Sequence, residues 1–336
     1  MSDPLPPLVD PADSPASIPA IPARKPSLSL WGLFGALMAV ISIASIAGLG
    51  TNYWWPLENA AVFKVQYCLL LVLGALVYGF GKRSRAALLL GVLALINGAA
   101  FLPLYVGRDH PQAAAPQLRI MICNVYMYNT EYSKVLDLIA HEQPDVIVFA
   151  EVTPEWVSHL APLKAEYPYV LAEPEDGAMG LAFCTRVPPE SLTMEHYGLV
   201  RNPTAVARFR IDGHPLTVIG THPVPPLSAD FVAWRNSQMN EIADTVARES
   251  GAVIVAGDLN MTSESPVFQH LCQIGKLHDS RRGFGPQASW PSDEIYARIA
   301  IDHCLVSRQV QVHNRRLGPA VGSDHWPVII DIAVTQ

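Results

Sequence analysis

"GSDHWPVIIDIAV", residues 322–334, is the stretch whose reading decides the fold. Ser323, Asp324 and His325 stand directly before an apolar run broken only by Asp331. A short apolar run bounded by turn formers reads as a buried strand. Ser and Asp are ordinary turn residues, so taken alone the stretch is a polar turn before a last strand.

The same arrangement recurs upstream. "RIMICNVY" ends a strand at Asn124, "DVIVFAEV" ends one at Glu151, and "LTVIGTHP" ends one at His222. "AVIVAGDLN" closes on Asp258 and Asn260, while "IDHCLVS" opens with Asp302. Polar side chains beside apolar strands are costly unless paired or solvated. Capping accounts for any one of them; their repetition at strand ends predicts a cluster on one edge of the fold. Such a set of carboxylates, amides and imidazoles suits a hard cation such as Mg²⁺, or Mn²⁺, with phosphate oxygens completing the shell. The ion stabilises developing charge while a positioned base activates water. No P-loop, HExxH or GxSxG is present, which excludes several rival chemistries.

Around these strands, "TEYSKVLDLIAHEQP" (130–144) and "ADFVAWRNSQMNEIADTVARES" (229–250) have helical spacing. Several strands follow one another through hairpin-like links. The pattern predicts an α/β fold, a sandwich of mixed sheets with helices outside, and not a purely parallel doubly wound sheet.

The chain has 336 residues, half of them apolar, and the excess sits near the N-terminus. Residues 1–27 are rich in Pro, Ala and Ser and read as a disordered tail. Three apolar runs follow within residues 28–106: Leu30–Gly50, Ala61–Gly81 and Ala86–Val106. Each is close to the ~20 residues that cross a bilayer as a helix, so three transmembrane helices are expected. Arg24 and Lys25 precede the first, "KRSR" (82–85) joins the second and third, and "TNYWWPLEN" (51–59) has no Lys or Arg. By the positive-inside rule, everything after the third run lies on the outer side of the membrane. Residues 107–117 read as a linker and 118–336 as the catalytic domain.

The whole chain carries 23 basic and 30 acidic residues, yet basic residues prevail before residue 106. The remainder is therefore acidic, a poor partner for bare nucleic-acid phosphates, and no stable nucleic-acid complex is expected. The five cysteines form no close pair and read as buried free thiols. Nothing in the sequence sets the oligomeric state.

The pieces "NVYMYN", "PDVIVFAEV", "GTHP", "GDLN", "IDHCLVS" and "GSDHWPV" resemble, in this order, the endonuclease/exonuclease/phosphatase superfamily of Mg²⁺-dependent phosphoesterases. The resemblance covers about Leu118 to Val334. It implies a four-layer αββα sandwich of two mixed sheets. It also implies roles: Glu151 as principal metal ligand, with Asn124 holding that carboxylate and the metal shell, and His222 and Asn260 on the phosphate. Asp258 orients or deprotonates the attacking water, Asp302 supports the histidines or the metal shell, and His325 is base or phosphate clamp, its imidazole oriented by Asp324. Whether Asp258 or His325 takes the proton stays open. Two departures appear. Ala150 replaces the glutamine common before the metal-binding glutamate, and "PVPPLS" follows His222 in place of the tyrosine-bearing loop of the apurinic-site branch. Arg235, Gln238, Arg281, Arg282 and Trp290 are softer candidates, for bracing the site or for a substrate loop.

The expected protein is a membrane-anchored, metal-dependent phosphodiesterase of nuclease type. Its setting is the bacterial inner membrane, multi-pass, with the catalytic domain on the periplasmic side. Its substrate is a phosphoester, either nucleic acid or a phospholipid head group. The alternative is a non-catalytic binding or scaffold module retaining the fold.

Overall fold

The computed structural model describes Asp3, residues 29–107 and residues 115–335. Almost all of the expected tail (1–27) and the middle of the expected linker (107–117) lie outside the described residues. The chain divides into two compact units after Leu37. The described part of the first is the opening of helix α1 (Leu30–Ala47), where Ser29 Oγ accepts from the Gly32 amide at 3.0 Å.

The second unit begins at Met38. It includes the helices α2 (Pro56–Ala61), α3 (Lys64–Phe80) and α4 (Ser84–Phe101). A 3-10 turn, Leu102–Tyr105, extends α4. Among the described residues, two helices, Leu30–Ala47 and Ser84–Tyr105, are long and apolar enough to cross a membrane. The second of the three expected spans, Ala61–Gly81, is corrected here. Its helix breaks after Ala61, restarts at Lys64 and has 17 residues. The physical reason lies in its first turn. Lys64 Nζ donates to the Gly48 carbonyl at 3.3 Å, and Gln66 Nε2 donates to the Arg298 carbonyl at 2.8 Å. These polar side chains are committed to protein partners, so the apolar stretch falls short of the usual ~20 residues. Between helices, Asn97 Nδ2 donates to Ser45 Oγ at 2.6 Å, the kind of polar contact that joins apolar helices.

The rest of the second unit alternates strands and helices. In chain order these are β1 (Leu118–Asn124), α5 (Tyr132–Glu142), β2 (Val146–Ala150), α6 (Pro154–Leu160), β3 (Tyr169–Glu173), β4 (Leu181–Thr185) and β5 (Ser191–Tyr197). Then come β6 (Asn202–Ile211), β7 (His214–Thr221), α7 (Ala229–Arg248), β8 (Ala252–Asp258), α8 (Pro266–Gly275) and β9 (Leu277–Asp279). The strands β10 (Asp302–Ser307), β11 (Val310–Leu317) and β12 (Val328–Val334) close the fold.

They form two six-stranded sheets, ordered β11-β12-β1-β2-β4-β3 and β5-β6-β7-β8-β10-β9. Only β1–β2 and β7–β8 pair in parallel. These are the two pairs joined through the helices α5 and α7, because a parallel return needs a long crossover. Every other neighbour is antiparallel. The two sheets therefore share one central pattern: a parallel pair with an antiparallel strand on each side.

Three apolar layers hold this together. Ile120, Val148, Phe183, Val218, Ile254 and Ile330 belong to the cluster between the sheets. Val135, Ile139 and Trp156 of α5 and α6 pack on the outer face of the first sheet. Met239, Ile242 and Leu271 of α7 and α8 pack on that of the second. The fold is the expected four-layer αββα sandwich. All five cysteines are free, and Cys123, Cys184 and Cys304 are buried in strands. Burial pushes the thiols of Cys184 and Cys304 up to about 12, which leaves them unreactive.

Candidate active site

Strand direction explains why distant residues meet. Asn124 ends β1 and pairs in register with Ala150, so Glu151 follows at the same edge. His222 follows the end of β7, and Asp258 ends β8 beside it. β10 runs antiparallel to β8, so its first residue, Asp302, pairs directly with Asp258. β12 runs antiparallel to β1, and the turn carrying His325 arrives at the end of β1. Ser323 fixes that turn: its Oγ donates to the Asn124 carbonyl at 2.7 Å and accepts from the His325 amide at 3.0 Å.

Local backbone completes the arrangement. Glu151 and Asn260 occupy the left-handed region, with φ of +60° and +49°. Such conformations are uncommon outside glycine and concentrate at functional sites. Gly257 has φ of +151°, and a Cβ there would lie 1.9 Å from the Thr221 carbonyl oxygen. A glycine is required for β8 to approach the end of β7 and set Asp258 against His222.

The side chains form one connected network. Asn124 Nδ2 donates to Glu151 Oε1 at 2.9 Å and to Asp258 Oδ2 at 3.0 Å, while its Oδ1 accepts from the Tyr126 amide. Glu151 Oε2 accepts from the Met127 amide at 3.1 Å. Asp258 Oδ1 accepts from the Asn260 amide, and Asn260 Nδ2 donates to the Pro223 carbonyl. His222 Nδ1 lies 3.0 Å from the Asp258 carbonyl oxygen. A carbonyl only accepts, so Nδ1 carries a proton and Nε2 is the atom left to meet a ligand.

His325 Nδ1 donates to Asp302 Oδ2 at 2.8 Å, and its Nε2 lies 3.6 Å from Asp258 Oδ2. The expected pairing of Asp324 with this imidazole is thereby corrected: Asp302 holds the ring. Asp324 Oδ2 instead accepts from Trp290 Nε1 at 3.0 Å. The register of β10 against β8 puts Asp302 under the ring, whereas the side chain of Asp324 turns toward Trp290.

Burial sets the electrostatics. For His325, burial opposes charging, but the carboxylates of Asp302 and Asp258 overcome it and hold the imidazole up at about 10. Burial likewise opposes ionisation of Asp302, yet the charge and hydrogen bond of His325 keep its carboxyl below the usual range. For Asp258 burial wins over the pull of His325, and its carboxyl is raised. A buried imidazolium therefore faces a carboxyl of raised basicity.

Residues present fit a divalent cation. Glu151, His222 and Asp258 offer ligand atoms all within 4.8 Å of one another. His222 Nε2 is buried without a hydrogen-bond partner, which costs free energy unless a ligand completes it. Carboxylate oxygens with an imidazole nitrogen form a donor set able to hold a divalent cation. Asn124 joins two of the three ligand residues through its amide.

The site opens into a cavity of about 510 Å³. Of the expected residues, Glu151, His222, Asp258, Asn260, Asp324 and His325 line it, with Asn124 and Asp302 beneath. Gln238 braces β7 from behind, donating to Thr221 Oγ1 and accepting from Asn202. Arg281 is buried against Asp279, and neither it nor Arg282 lines the cavity. Trp290 does. Sequence reasoning missed the far wall, Glu58, Asn59, Val62 and Phe63. Glu58 Oε2 forms an ion pair with Arg235 Nη2 at 2.9 Å, in which the arginine is fully buried. The signal available was a lone acid in an otherwise apolar, charge-poor segment.

This geometry defines a strand-end site of carboxylates, amides and imidazoles on an αββα sandwich. Residues 121–325 match the Endonuclease/Exonuclease/phosphatase family, and the chain belongs to it. Members of that family are hydrolytic nucleases and phosphatases. Among solved structures, a Beutenbergia cavernae endonuclease/exonuclease/phosphatase is similar over 66% of this chain and 72% of its own, at 19% identity and TM-score 0.53. D. rerio TDP2, solved with a single-strand DNA product, is similar over 65% of this chain and 99% of its own, at 18% identity and TM-score 0.53. A Bacteroides vulgatus member of the family covers 65% and 98%, at 16% identity and TM-score 0.54. These likenesses show the fold. No curated protein matches the sequence.

Proposed function

We propose that the protein is a membrane-anchored, Mg²⁺- or Mn²⁺-dependent phosphodiesterase. The observation that carries this reading is the single network joining Asn124 and Glu151 of one sheet to Asp258 and, through His325, to Asp302 of the other. Glu151, Asp258 and His222 Nε2 would hold the cation, with Asn124 fixing the carboxylates. When bound, the ion supplies charge stabilisation for the phosphoryl group.

The chain's own groups carry the rest. Asp258, joined to Asn124 and facing His325, orients the attacking water and takes its proton. The water oxygen forms the new P–O bond in line with the ester oxygen that departs. His325, held as an imidazolium by Asp302, binds a phosphoryl oxygen with its Nε2–H. Asn260 keeps one amide N–H for the phosphate beside its bond to Pro223. The products are an alcohol and a phosphomonoester.

Membrane anchoring is supported by the helices themselves. Leu69, Leu73, Leu76, Leu88 and Leu95 are all exposed, and an apolar surface of this extent calls for a lipid or protein covering. The start of α3, the end of α4 and α2 all touch the catalytic part through Gln66, Leu104 and Glu58. The basic 82–85 loop joins the opposite ends of α3 and α4. With that basic loop at the start of α4 on the inner side, the positive-inside rule supports our reading of an outer, periplasmic catalytic part.

Hydrolysis of bis-p-nitrophenyl phosphate by the full chain, with and without EDTA, tests the activity. We expect EDTA-sensitive turnover, lost in Glu151→Ala, Asp258→Ala and His325→Ala. Normal turnover in all three variants rejects the site. A folded protein inert toward every diester tried indicates a non-catalytic module on the same fold.

A further inference from the structure

The hydrolytic cavity has two unlike halves. One half holds the acids and imidazoles described above. The other presents the apolar side chains of Val62, Phe63, Met179, Leu227 and Ile299, beside Asn59 and a Glu58 carboxylate paired with Arg235, with Trp290 bonded to Asp324 at its edge. Leu227 lies in the "PVPPLS" stretch that follows His222. Val62 and Phe63 come from the connection between α2 and α3, outside residues 121–325 that carry the family match.

This connection is pinned in place. Arg235 of α7 is fully buried and pairs with Glu58 at 2.9 Å. The far end is tied by Gln66 to the Arg298 carbonyl, next to Ile299. The wall is therefore a fixed part of the cavity.

Charge decides what this half accommodates. Among the described residues, no Lys or Arg lines the cavity. A polynucleotide needs several cations along its backbone, and none is offered here. An alkyl or acyl chain needs only apolar surface to cover, and this half supplies it.

We propose that the segment Glu58–Phe63, with Met179, Leu227 and Ile299, forms an apolar subsite, and that the substrate is a phosphodiester bearing an alkyl or acyl chain. This rests on the phosphodiesterase reading. Water adds to phosphorus, the P–O bond to one ester oxygen breaks, and that oxygen leaves with a proton as an alcohol. The chain-bearing part lies along Phe63 and Leu227 with the phosphate at His325 and Asn260.

The test uses the full chain and two probes, methyl p-nitrophenyl phosphate and octyl p-nitrophenyl phosphate, the latter below its micelle concentration. We expect kcat/KM for the octyl ester to exceed that for the methyl ester at least tenfold, about 1.4 kcal/mol. In Phe63→Ser and in Leu227→Ser the octyl-to-methyl ratio falls severalfold. Circular dichroism confirms that each variant is folded, and Leu227, on an exposed loop, serves if Phe63→Ser is not. A ratio near one in the wild-type chain overturns the subsite, as does a high ratio unmoved by both variants. Hydrolysis of neither ester rejects the phosphodiesterase reading itself. Turnover of the hexadecyl ester in phosphatidylcholine vesicles identifies the bilayer as the source of substrate. Turnover of the dispersed octyl ester alone identifies a soluble amphiphile, and either result upholds the subsite.

Discussion

Replacing Asp302 by Asn removes one charge from the centre of the site while keeping the side chain's shape. His325 Nδ1 can still donate to the Asn oxygen across the present 2.8 Å. What is lost is the carboxylate that keeps the ring protonated. Asp302 and Asp258 hold the imidazole at about 10, against an ordinary 6.5. At ~1.4 kcal/mol per tenfold in proton affinity this corresponds to roughly 4–5 kcal/mol, and breaking a buried pair costs about 3–5 kcal/mol. His325 has a raised folded pKa, so its contribution is full below about pH 6.5 and fades as pH rises toward 10. Asp302 has a lowered one, so its contribution is present above its unfolded value of 3.8 and is lost as pH falls further. Asp302→Asn is therefore destabilised most near pH 5–6, by about 3 kcal/mol, and the deficit shrinks toward pH 10. Catalysis should suffer more, because a carboxylate that orients a catalytic imidazole contributes up to ~10⁴ in kcat. We expect kcat for bis-p-nitrophenyl phosphate to fall by about 10²–10⁴, with the alkaline limb of the pH–rate profile moved to lower pH. Thermal unfolding at pH 5.5 and 9.5 and the pH–rate profile measure both effects. Wild-type kcat and an unmoved profile in a folded variant would refute the imidazolium reading.

Three further outcomes follow from separate parts of the structure. Gly257→Ala drives a Cβ to 1.9 Å from the Thr221 carbonyl oxygen, and strain of this kind costs about 1–3 kcal/mol or more. Loss of activity with a lower unfolding midpoint is expected, and an unaffected variant contradicts the close approach of β7 and β8. Burial, helped by Arg281, holds His303 down at about 4. Its contribution is present above pH 6.5 and lost as pH falls toward 4, up to roughly 3 kcal/mol; His303→Gln flattens that acid slope in chemical denaturation, and an unchanged slope refutes the assignment. Glu58→Ala leaves Arg235 buried and unpaired at a cost of about 3–5 kcal/mol, and adding Arg235→Met restores most of it; a single variant with wild-type stability contradicts the pinning of α2.

Much of the fold was legible because it is local. Val- and Ile-rich runs give strands, and acids or imidazoles at their ends mark one edge. Motif order then carried the sandwich, and Asn124, Glu151, His222, Asp258 and His325 met as expected. Pairing was less legible. Asp324 is the chain neighbour of His325, yet Asp302 holds the ring, because sheet register brings together residues 23 apart in sequence. Glu58 and Phe63 were invisible as site residues, since nothing in an apolar segment announces that it folds back over a distant cleft. Ala61–Gly81 read as a full span because hydropathy does not record that Lys64 and Gln66 are spent on carbonyls.

The central claim is that acids from two different sheets hold one cation. Mn²⁺ titration of the full chain, followed by electron paramagnetic resonance of free Mn²⁺, tests it directly. One tight site per chain is expected, weakened strongly by Glu151→Ala at the end of β2 and equally by Asp258→Ala at the end of β8. Undiminished Mn²⁺ binding in either folded variant contradicts the account.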